Sequence, residues 1–315
     1  MAKQGQQNRI FMTGANGYIG SVITEFALAE GYEVYGLSRS EKGDTKLRSL
    51  GAVPVRGDLL ALDVLRRESA QAQIVIHLVN AWNVKTTWEE ALRIDANAVD
   101  AMGESLKGRG KLVITSGSLV VAPDPNGAET TEESPLQENP TNQRIKAEQY
   151  ALQLCERGIN VCAIRLAPYV YGRGGSGVQT FMRMAVSNGE AVYVNDGKTR
   201  TSAVHVDDAA RLYLLVCKNG QGGDVFNSTS STNVTTYEIV AAMGSTLNLP
   251  VRSLNFEEAV RKCGPFLARF MSSENRASNA KAIKQLGWQP TELGVVEDIK
   301  RGSYPAIAKQ LKSSA

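Results

Sequence analysis

Cysteine and histidine are both scarce in this 315-residue chain, with four of the first and two of the second. Cys155, Cys162, Cys217 and Cys263 form no C-x-x-C pair, and their spacing fits neither zinc nor a disulfide framework. Only Cys155 and Cys162 are near each other in sequence, so reduced, buried thiols are expected, no metal site, and a cytoplasmic location. No apolar run is long enough to span a bilayer. The polar opening, residues 1–9, has no hydrophobic core of a signal peptide and leads straight into a strand. There is no dense run of Lys or Arg, and the net charge is only +3. That balance excludes a strong pull toward nucleic acid or an anionic membrane and leaves a small molecule as the expected partner. Internal repeats and low-complexity tracts are absent too.

What remains is the composition of an ordinary globular protein, 43% apolar and 21% charged. The length suits a large single core, or a ligand-binding domain with a smaller one attached. Short apolar runs at residues 9–12, 33–37, 52–55, 74–78, 111–115 and 160–165 read as strands. Pro54 puts the third near a sheet edge. Val22, Ile23, Phe26 and Ala27 recur at helical spacing after the first run, and helical segments fit between the others. Continuous apolar strands separated by helices predict a parallel sheet covered on both faces. The pattern changes near Gly172. Four glycines in residues 172–177 suit a mobile lid or a domain boundary. Residues 236–247 look helical, and residues 122–140 read as a long surface loop of the kind that borders active sites.

Gly14, Gly17 and Gly20 lie between the first strand and the first helix, with Asn16, Tyr18 and Ile19 among them. One glycine permits the tight turn, one lets backbone approach a pyrophosphate, and one lets helix and strand pack closely. The helix start supplies free N–H groups and a positive dipole end for the anion. A dinucleotide is therefore expected on this turn. The second strand runs into Ser38 and Arg39, where an NAD site usually carries a carboxylate for the ribose 2′-hydroxyl. Serine and arginine would instead bind a 2′-phosphate, with Lys42 near enough to share the role, so the expected cofactor is NADP(H). Asp58 and Leu59 are placed to meet the adenine; an N-cap role for Asp58 is the competing reading. The expected fold is α/β: a doubly wound parallel Rossmann sheet over residues 1–171 that binds NADP(H). A smaller α/β substrate region follows over residues 172–315, partly interleaved with the first.

These residues resemble the extended short-chain dehydrogenase/reductase superfamily, of the NAD-dependent epimerase/dehydratase type. Residues 13–20 are similar to its T-G-x-x-G-x-x-G, Gly57-Asp58-Leu59 to its G-D-[LIV], and Ile76-His77-Leu78 to the strand before its cofactor loop. Asn97 falls where the family has a helix asparagine that supports the sheet. Residues 165–172 (R-L-A-P-Y-V-Y-G) resemble the loop that passes the nicotinamide, and Leu286-Gly287-Trp288-Gln289-Pro290 is similar to the C-terminal L-G-W-x-P. The resemblance implies that Leu78, Val79, Asn80, Thr115 and Pro168 lie along the cofactor, and that a homodimer forms through a helix pair. One departure stands out. The family's Tyr-x-x-x-Lys corresponds to residues 142–146, where Lys146 is present and the tyrosine is Asn142. An amide hydrogen-bonds an oxygen but is no acid near neutral pH. The family's serine after the fifth strand falls on or next to Gly117, with Ser118 the candidate.

Without that tyrosine, ordinary ketone reduction lacks a proton donor worth about 10²–10⁴-fold in rate. Tyr169, Tyr171 and His205 are the candidate substitutes. The expectation is an NADPH-dependent oxidoreductase that reduces a small carbonyl or imine-like substrate. In it Lys146 holds the nicotinamide ribose, while Ser118, Asn142 and Tyr169 orient the substrate. The alternatives are a non-redox isomerase or cyclase that uses the dinucleotide structurally, and a non-catalytic NADP(H)-sensing regulator. His77 reads as structural. Arg200, which binds a substrate phosphate in sugar-nucleotide relatives, and Trp82 and Trp88, which could line an apolar pocket, each keep a packing role as the competing reading.

Overall fold

All six strands read from the sequence are present in the computed structural model, which describes residues 8–82, 86–138, 140 and 142–313. They are β1 (Arg9–Thr13), β2 (Glu33–Ser38), β3 (Val53–Arg56), β4 (Ile74–His77), β5 (Lys111–Gly117) and β6 (Asn160–Leu166). The helices between them are α1 (Tyr18–Ala29), α2 (Glu41–Ser49), α3 (Leu62–Gln71), α4 (Trp88–Glu104) and α5 (Arg144–Gln153). After β6 the chain makes β7 (Tyr169–Tyr171), α6 (Ser176–Asn188), β8 (Ala191–Val194), β9 (Arg200–His205), α7 (Val206–Asn219) and β10 (Val225–Ser228). It continues through β11 (Ser231–Thr235), α8 (Thr236–Leu247), β12 (Val251–Leu254), α9 (Phe256–Cys263) and α10 (Pro265–Ser272). It ends with α11 (Ala280–Leu286), α12 (Val295–Arg301) and α13 (Tyr304–Ser313).

The main sheet has seven strands in the order β10-β6-β5-β4-β1-β2-β3, and every pair in it is parallel. Alternate residues feed opposite faces, as a pleat requires. Ile10, Met12, Ile76, Val113 and Ile164 pack under α1, α7 and α11. Phe11, Val75, Leu112, Ile114 and Ala163 pack under α3, α4 and α5. This is a doubly wound Rossmann sheet. Its strand order reverses between β1 and β4, and in such sheets the crevice at the carboxyl end of the reversal takes the ligand.

A second, smaller assembly sits beyond those carboxyl ends. It has the sheet β11-β9-β7 and the parallel pair β12-β8, with α6, α8, α12 and α13 around one apolar cluster and α9 and α10 around another. The chain crosses between the two assemblies more than once. After β7 to β9, α7 and β10 return to the main sheet, and α11 packs there as well. The C-terminal motif explains itself in this frame. Trp288 is buried and donates its Nε1–H to the Asp208 carbonyl at 3.0 Å, while the Asp208 carboxylate accepts the Thr291 amide at 3.0 Å. Two buried residues from distant segments thereby fix how the last 30 or so residues return to α7.

The glycine-rich loop after β7 is pinned rather than free to act as a lid. Tyr18 donates to the Gly172 carbonyl at 2.8 Å, Tyr304 to the Gly175 carbonyl at 2.9 Å, and the Gly174 amide to Ser303 Oγ at 2.8 Å. Arg173 bridges Glu25 and Asp207. Among the described residues no helix is long and apolar enough to cross a membrane, and none form a group of His, Cys, Asp and Glu suited to a metal. The four cysteines are free thiols, and burial pushes those of Cys162 and Cys217 up to about 12.

Candidate active site

The turn between β1 and α1 divides its work among its three glycines. Gly14 has φ of +78°, which disfavours any side chain, and a Cβ there would lie 2.8 Å from Val79 Cγ1. A Cβ on Gly20 would lie 2.1 Å from the Gly14 carbonyl oxygen, so only glycine lets the helix pack on the turn. The Gly17 amide donates to the Gly14 carbonyl at 2.9 Å and Gly17 caps the helix with no side chain of its own. No acidic residue occupies the first turn of α1. The helix therefore presents open amides and a positive dipole end, which fits a pyrophosphate. Asn16 is tied down through its carbonyl, which accepts Lys46 Nζ at 2.8 Å. Tyr18 turns its ring toward the Gly172–Gly175 loop, and burial raises its phenol pKa. Ile19 packs on the core beneath α1.

At the end of β2, Ser38 is buried and donates to the Ser40 carbonyl at 3.1 Å. Arg39 is exposed and has no hydrogen bond or ion pair to any described residue. Asp44, the nearest buried carboxylate on α2, is paired with Arg56. Asp58 is exposed, and its carboxylate accepts the Leu60 amide at 2.9 Å; the residue preceding α3 is Ala61, so Asp58 does not cap that helix. Leu59 packs beside it on the lower core.

The strand before the next loop is held from below. His77 Nδ1 and Thr13 Oγ1 are 2.8 Å apart, and burial brings the imidazole down to about 4, so it stays neutral as a structural bridge between β4 and β1. Leu78, Val79 and Asn80 follow it, with Leu78 half-buried and Val79 at the surface. The resemblance put a sheet-supporting asparagine at Asn97, which is exposed. Asp95, two residues earlier on α4, holds the loop after β4: its Oδ1 accepts the Ala81 amide at 2.8 Å. Burial raises its carboxyl to about 6. Trp82 and Trp88 stack at 5.1 Å, and Trp88 lines a cavity of about 340 Å³ between α4 and α5, with Asn80, Asp95, Thr115, Arg144 and Lys146 also on its walls. Thr115 Oγ1 is 2.6 Å from Tyr213 Oη.

A separate cleft of about 250 Å³ opens between the carboxyl end of β5, the start of α5, the β6–β7 turn and α10. Ser116, Gly117, Ser118, Asn142, Arg144 and Pro168 line it, with Leu119, Leu166, Val170, Phe266 and Phe270 as apolar wall. The structure thus brings together Ser118, Asn142 and Pro168 of the expected set. The hydroxyl of Ser118 is wholly buried and donates to Asn275 Oδ1 at 2.9 Å, and Asn142 Oδ1 accepts the Arg144 amide at 3.0 Å.

Tyr169 lies outside the cleft. On β7 alternate residues face opposite ways, so Val170 meets the cleft while Tyr169 packs against Phe181 and Phe270 in the second core, its phenol pKa raised by burial. Tyr171 donates to the Leu293 carbonyl at 2.6 Å, and His205 caps α7 by accepting the Asp207 amide at 3.2 Å. Arg200 is paired with Glu274 at 2.6 Å and donates to the Gly127 carbonyl at 3.2 Å, so its charge is already met within the protein.

The rotation of α5 decides the rest. Glu148 is buried and takes Arg165 of β6 in a fork, with contacts of 3.1 and 3.0 Å from Nε and 2.6 Å from Nη2. Arg144, one turn earlier, shares that inward face. Lys146 is two residues on, about 200° round the helix, and is exposed at the rim of the α4–α5 cavity. Sequence reasoning missed Arg144 and Asp95, and chose Ser118 over Ser116 at the carboxyl end of β5. The inward pair Arg144 and Glu148, four apart on a helix whose partner strand carries Arg165, was the available signal.

The sequence model of the NAD dependent epimerase/dehydratase family matches residues 10–228, which span β1 through β10. The chain belongs to that family. An uncharacterized protein of Schizosaccharomyces pombe is 34% identical over 94% of this chain and 99% of its own length. The Stigmatella aurantiaca 4-hydroxy-2-methyl-3-oxo-4-farnesyl-3,4-dihydroquinoline-1-oxide ketoreductase is 25% identical over 72% of this chain and 69% of that one. Among solved structures, the Thermus thermophilus UDP-glucose 4-epimerase in complex with NAD has a TM-score of 0.74 at 20% identity, covering 98% of this chain and all of that one. This family member is an extended short-chain dehydrogenase/reductase, an NAD(P)-dependent enzyme.

Proposed function

We propose that this enzyme is an NADPH-dependent reductase of a small carbonyl or imine-like compound. The observation that carries the reading is the pairing of an open, uncapped glycine turn on α1 with an unpaired arginine, Arg39, where an NAD-selective site places a carboxylate. The amides of residues 14–20 would hold the pyrophosphate, Ser38 and Arg39 the 2′-phosphate, and Asp58 and Leu59 the adenine side. Leu78, Val79, Asn80, Thr115 and Pro168 would flank the nicotinamide half. When bound, NADPH supplies the hydride.

The protein's part is to place an acceptor carbon in the cleft and to meet the charge that develops beside it. Hydride addition breaks the π bond of C=O or C=N and leaves the electron pair on oxygen or nitrogen. An iminium needs no further proton, and an alkoxide takes one from solvent at the cleft mouth. Asn142 holds position there by hydrogen bonding and gives no proton. Tyr169 is set into the second core, so its phenol does not serve. The free cysteines are consistent with a reducing, cytosolic setting. The similarity to a ketoreductase supports reduction over the non-redox alternatives.

The test is loss of NADPH absorbance with ketones, oxo acids, quinones and cyclic imines. Turnover of one class is expected. Tight NADPH binding with no turnover across all of them would favour a non-redox role.

A further inference from the structure

Two polar groups in the cleft have no partner. Ser116 is 1% exposed and its Oγ makes no hydrogen bond. Arg144 has no hydrogen bond or ion pair through its guanidinium with any described residue, although burial is the main influence on it and presses its pKa down. The other polar groups facing the space are engaged: Ser118 with Asn275, and Asn142 Oδ1 with the Arg144 amide. No acidic residue lines the cleft itself, and none lies in the first turn of α5, whose positive dipole end adds to the arginine's charge; Arg144 also borders the α4–α5 cavity, where Asp95 and Glu148 lie. Asp95, the carboxylate that acts on Arg144 through space, is not in ion-pair contact with it and is occupied by the Ala81 amide. The opposite walls are apolar, made by Leu166, Val170, Phe266 and Phe270.

A guanidinium keeps its proton in a protein. The fold sets this half-buried arginine, without an ion-pair partner, on the wall of the same cleft as a buried, idle hydroxyl and across from a hydrocarbon wall. We propose that Arg144 and Ser116 form an anion-recognising pole of the substrate cleft, so that the substrate is a small carbonyl compound bearing a carboxylate on an apolar body. This rests on the reductase reading above and narrows it. A carboxylate matches the planar fork of arginine with its two oxygens, and a remaining lone pair on one of them can accept the serine hydroxyl. The cleft, about 250 Å³, is below the roughly 300–1,000 Å³ typical of drug-sized ligands, which keeps the compound small.

The probes are 2-oxo-4-phenylbutanoate and its ethyl ester, which share one apolar body and one ketone and differ in charge. Each is titrated calorimetrically into protein saturated with NADP⁺, and each is then offered with NADPH. The acid is expected to bind about tenfold or more tighter than the ester, the difference one charge-assisted hydrogen-bonded pair makes. Arg144→Met should erase that preference while NADP⁺ affinity stays within about twofold, and Ser116→Ala should weaken the acid alone by a few-fold. Arg144→Lys should keep part of the preference and raise KM for the acid more than it lowers kcat, because the charge remains and the fork does not.

Equal affinity for acid and ester, or failure of both to bind, would overturn the proposal. So would an Arg144→Met variant that loses cofactor and keeps the preference, since the guanidinium would then serve the nicotinamide ribose. Should Arg144→Met not fold, the wild-type ratio and the Ser116→Ala variant still decide. Selective binding of the acid with no NADPH consumed would retain the anion site and sink the reductase reading. Turnover of the ester as fast and as tightly as the acid would do the reverse.

Discussion

Asp95 is 7% exposed, and burial holds its carboxyl near about 6, above the usual carboxylate range. Between about pH 4 and pH 6 the folded protein therefore keeps a proton that the unfolded chain releases, and stability falls as pH rises through that window. Asp95→Asn removes the charge and can keep an acceptor for the Ala81 amide. It should stabilise the fold by about 1–3 kcal/mol near pH 7.5, with the gain fading toward about pH 4. Urea denaturation at the two pH values measures this, and an equal gain at both would remove charge burial as the cause. Arg39 is the other residue-scale test. Arg39→Asp places a carboxylate against the 2′-phosphate and should weaken NADPH by at least about tenfold while changing NADH little. An equal effect on both would reject the assignment of Ser38 and Arg39 to that phosphate. Such residues differ in how far sequence exposed them. Gly14, Gly17 and Gly20 were readable because each has a backbone reason to be glycine. Asp95 was not, because nothing in sequence shows that a helix residue reaches the Ala81 amide.

On the scale of elements, α1 and α5 carry the account. A Cβ on Gly20 meets the Gly14 carbonyl at 2.1 Å and one on Gly17 meets it at 3.0 Å. Gly20→Ala should therefore cost more than Gly17→Ala, about 1–3 kcal/mol against less than that, in thermal or urea melts. The reverse order would mean that the turn does not pack on α1 as described. In α5, the buried Glu148–Arg165 pair sets which residues look into the cleft. Glu148→Gln leaves Arg165 buried without its counter-charge and should destabilise the protein by about 3–5 kcal/mol, whereas replacing both partners with apolar residues of similar volume should recover most of that loss. The Tyr-x-x-x-Lys spacing, transferred to residues 142–146, pointed Lys146 at the cofactor, and Lys146 borders the α4–α5 cavity together with Asn80 and Thr115. Arg144, about 200° round the helix from it, borders that cavity and the cleft as well. Helix rotation follows from tertiary pairing, which a single sequence does not display.

For the whole molecule, the main sheet was legible through its apolar runs, and all six expected strands pair as parallel neighbours. The seventh, β10, was not, since Asn227 and Ser228 interrupt its apolar character and its hydrogen bonds, such as the Asn227 amide to Glu132, are long-range. The second assembly also gave little away. Its short strands mix Ser, Thr and Asn with apolar residues, so their order depends on packing between distant segments. That assembly supplies Phe266 and Phe270 to the cleft.

Every role proposed for this enzyme requires a dinucleotide bound at the β1–α1 turn. Isothermal titration of NADPH and of NADH into the folded wild-type protein tests it. Saturable binding of both is predicted, with NADPH tighter by about tenfold or more. Absence of heat from either dinucleotide, on protein shown by circular dichroism to be folded, would contradict the central claim.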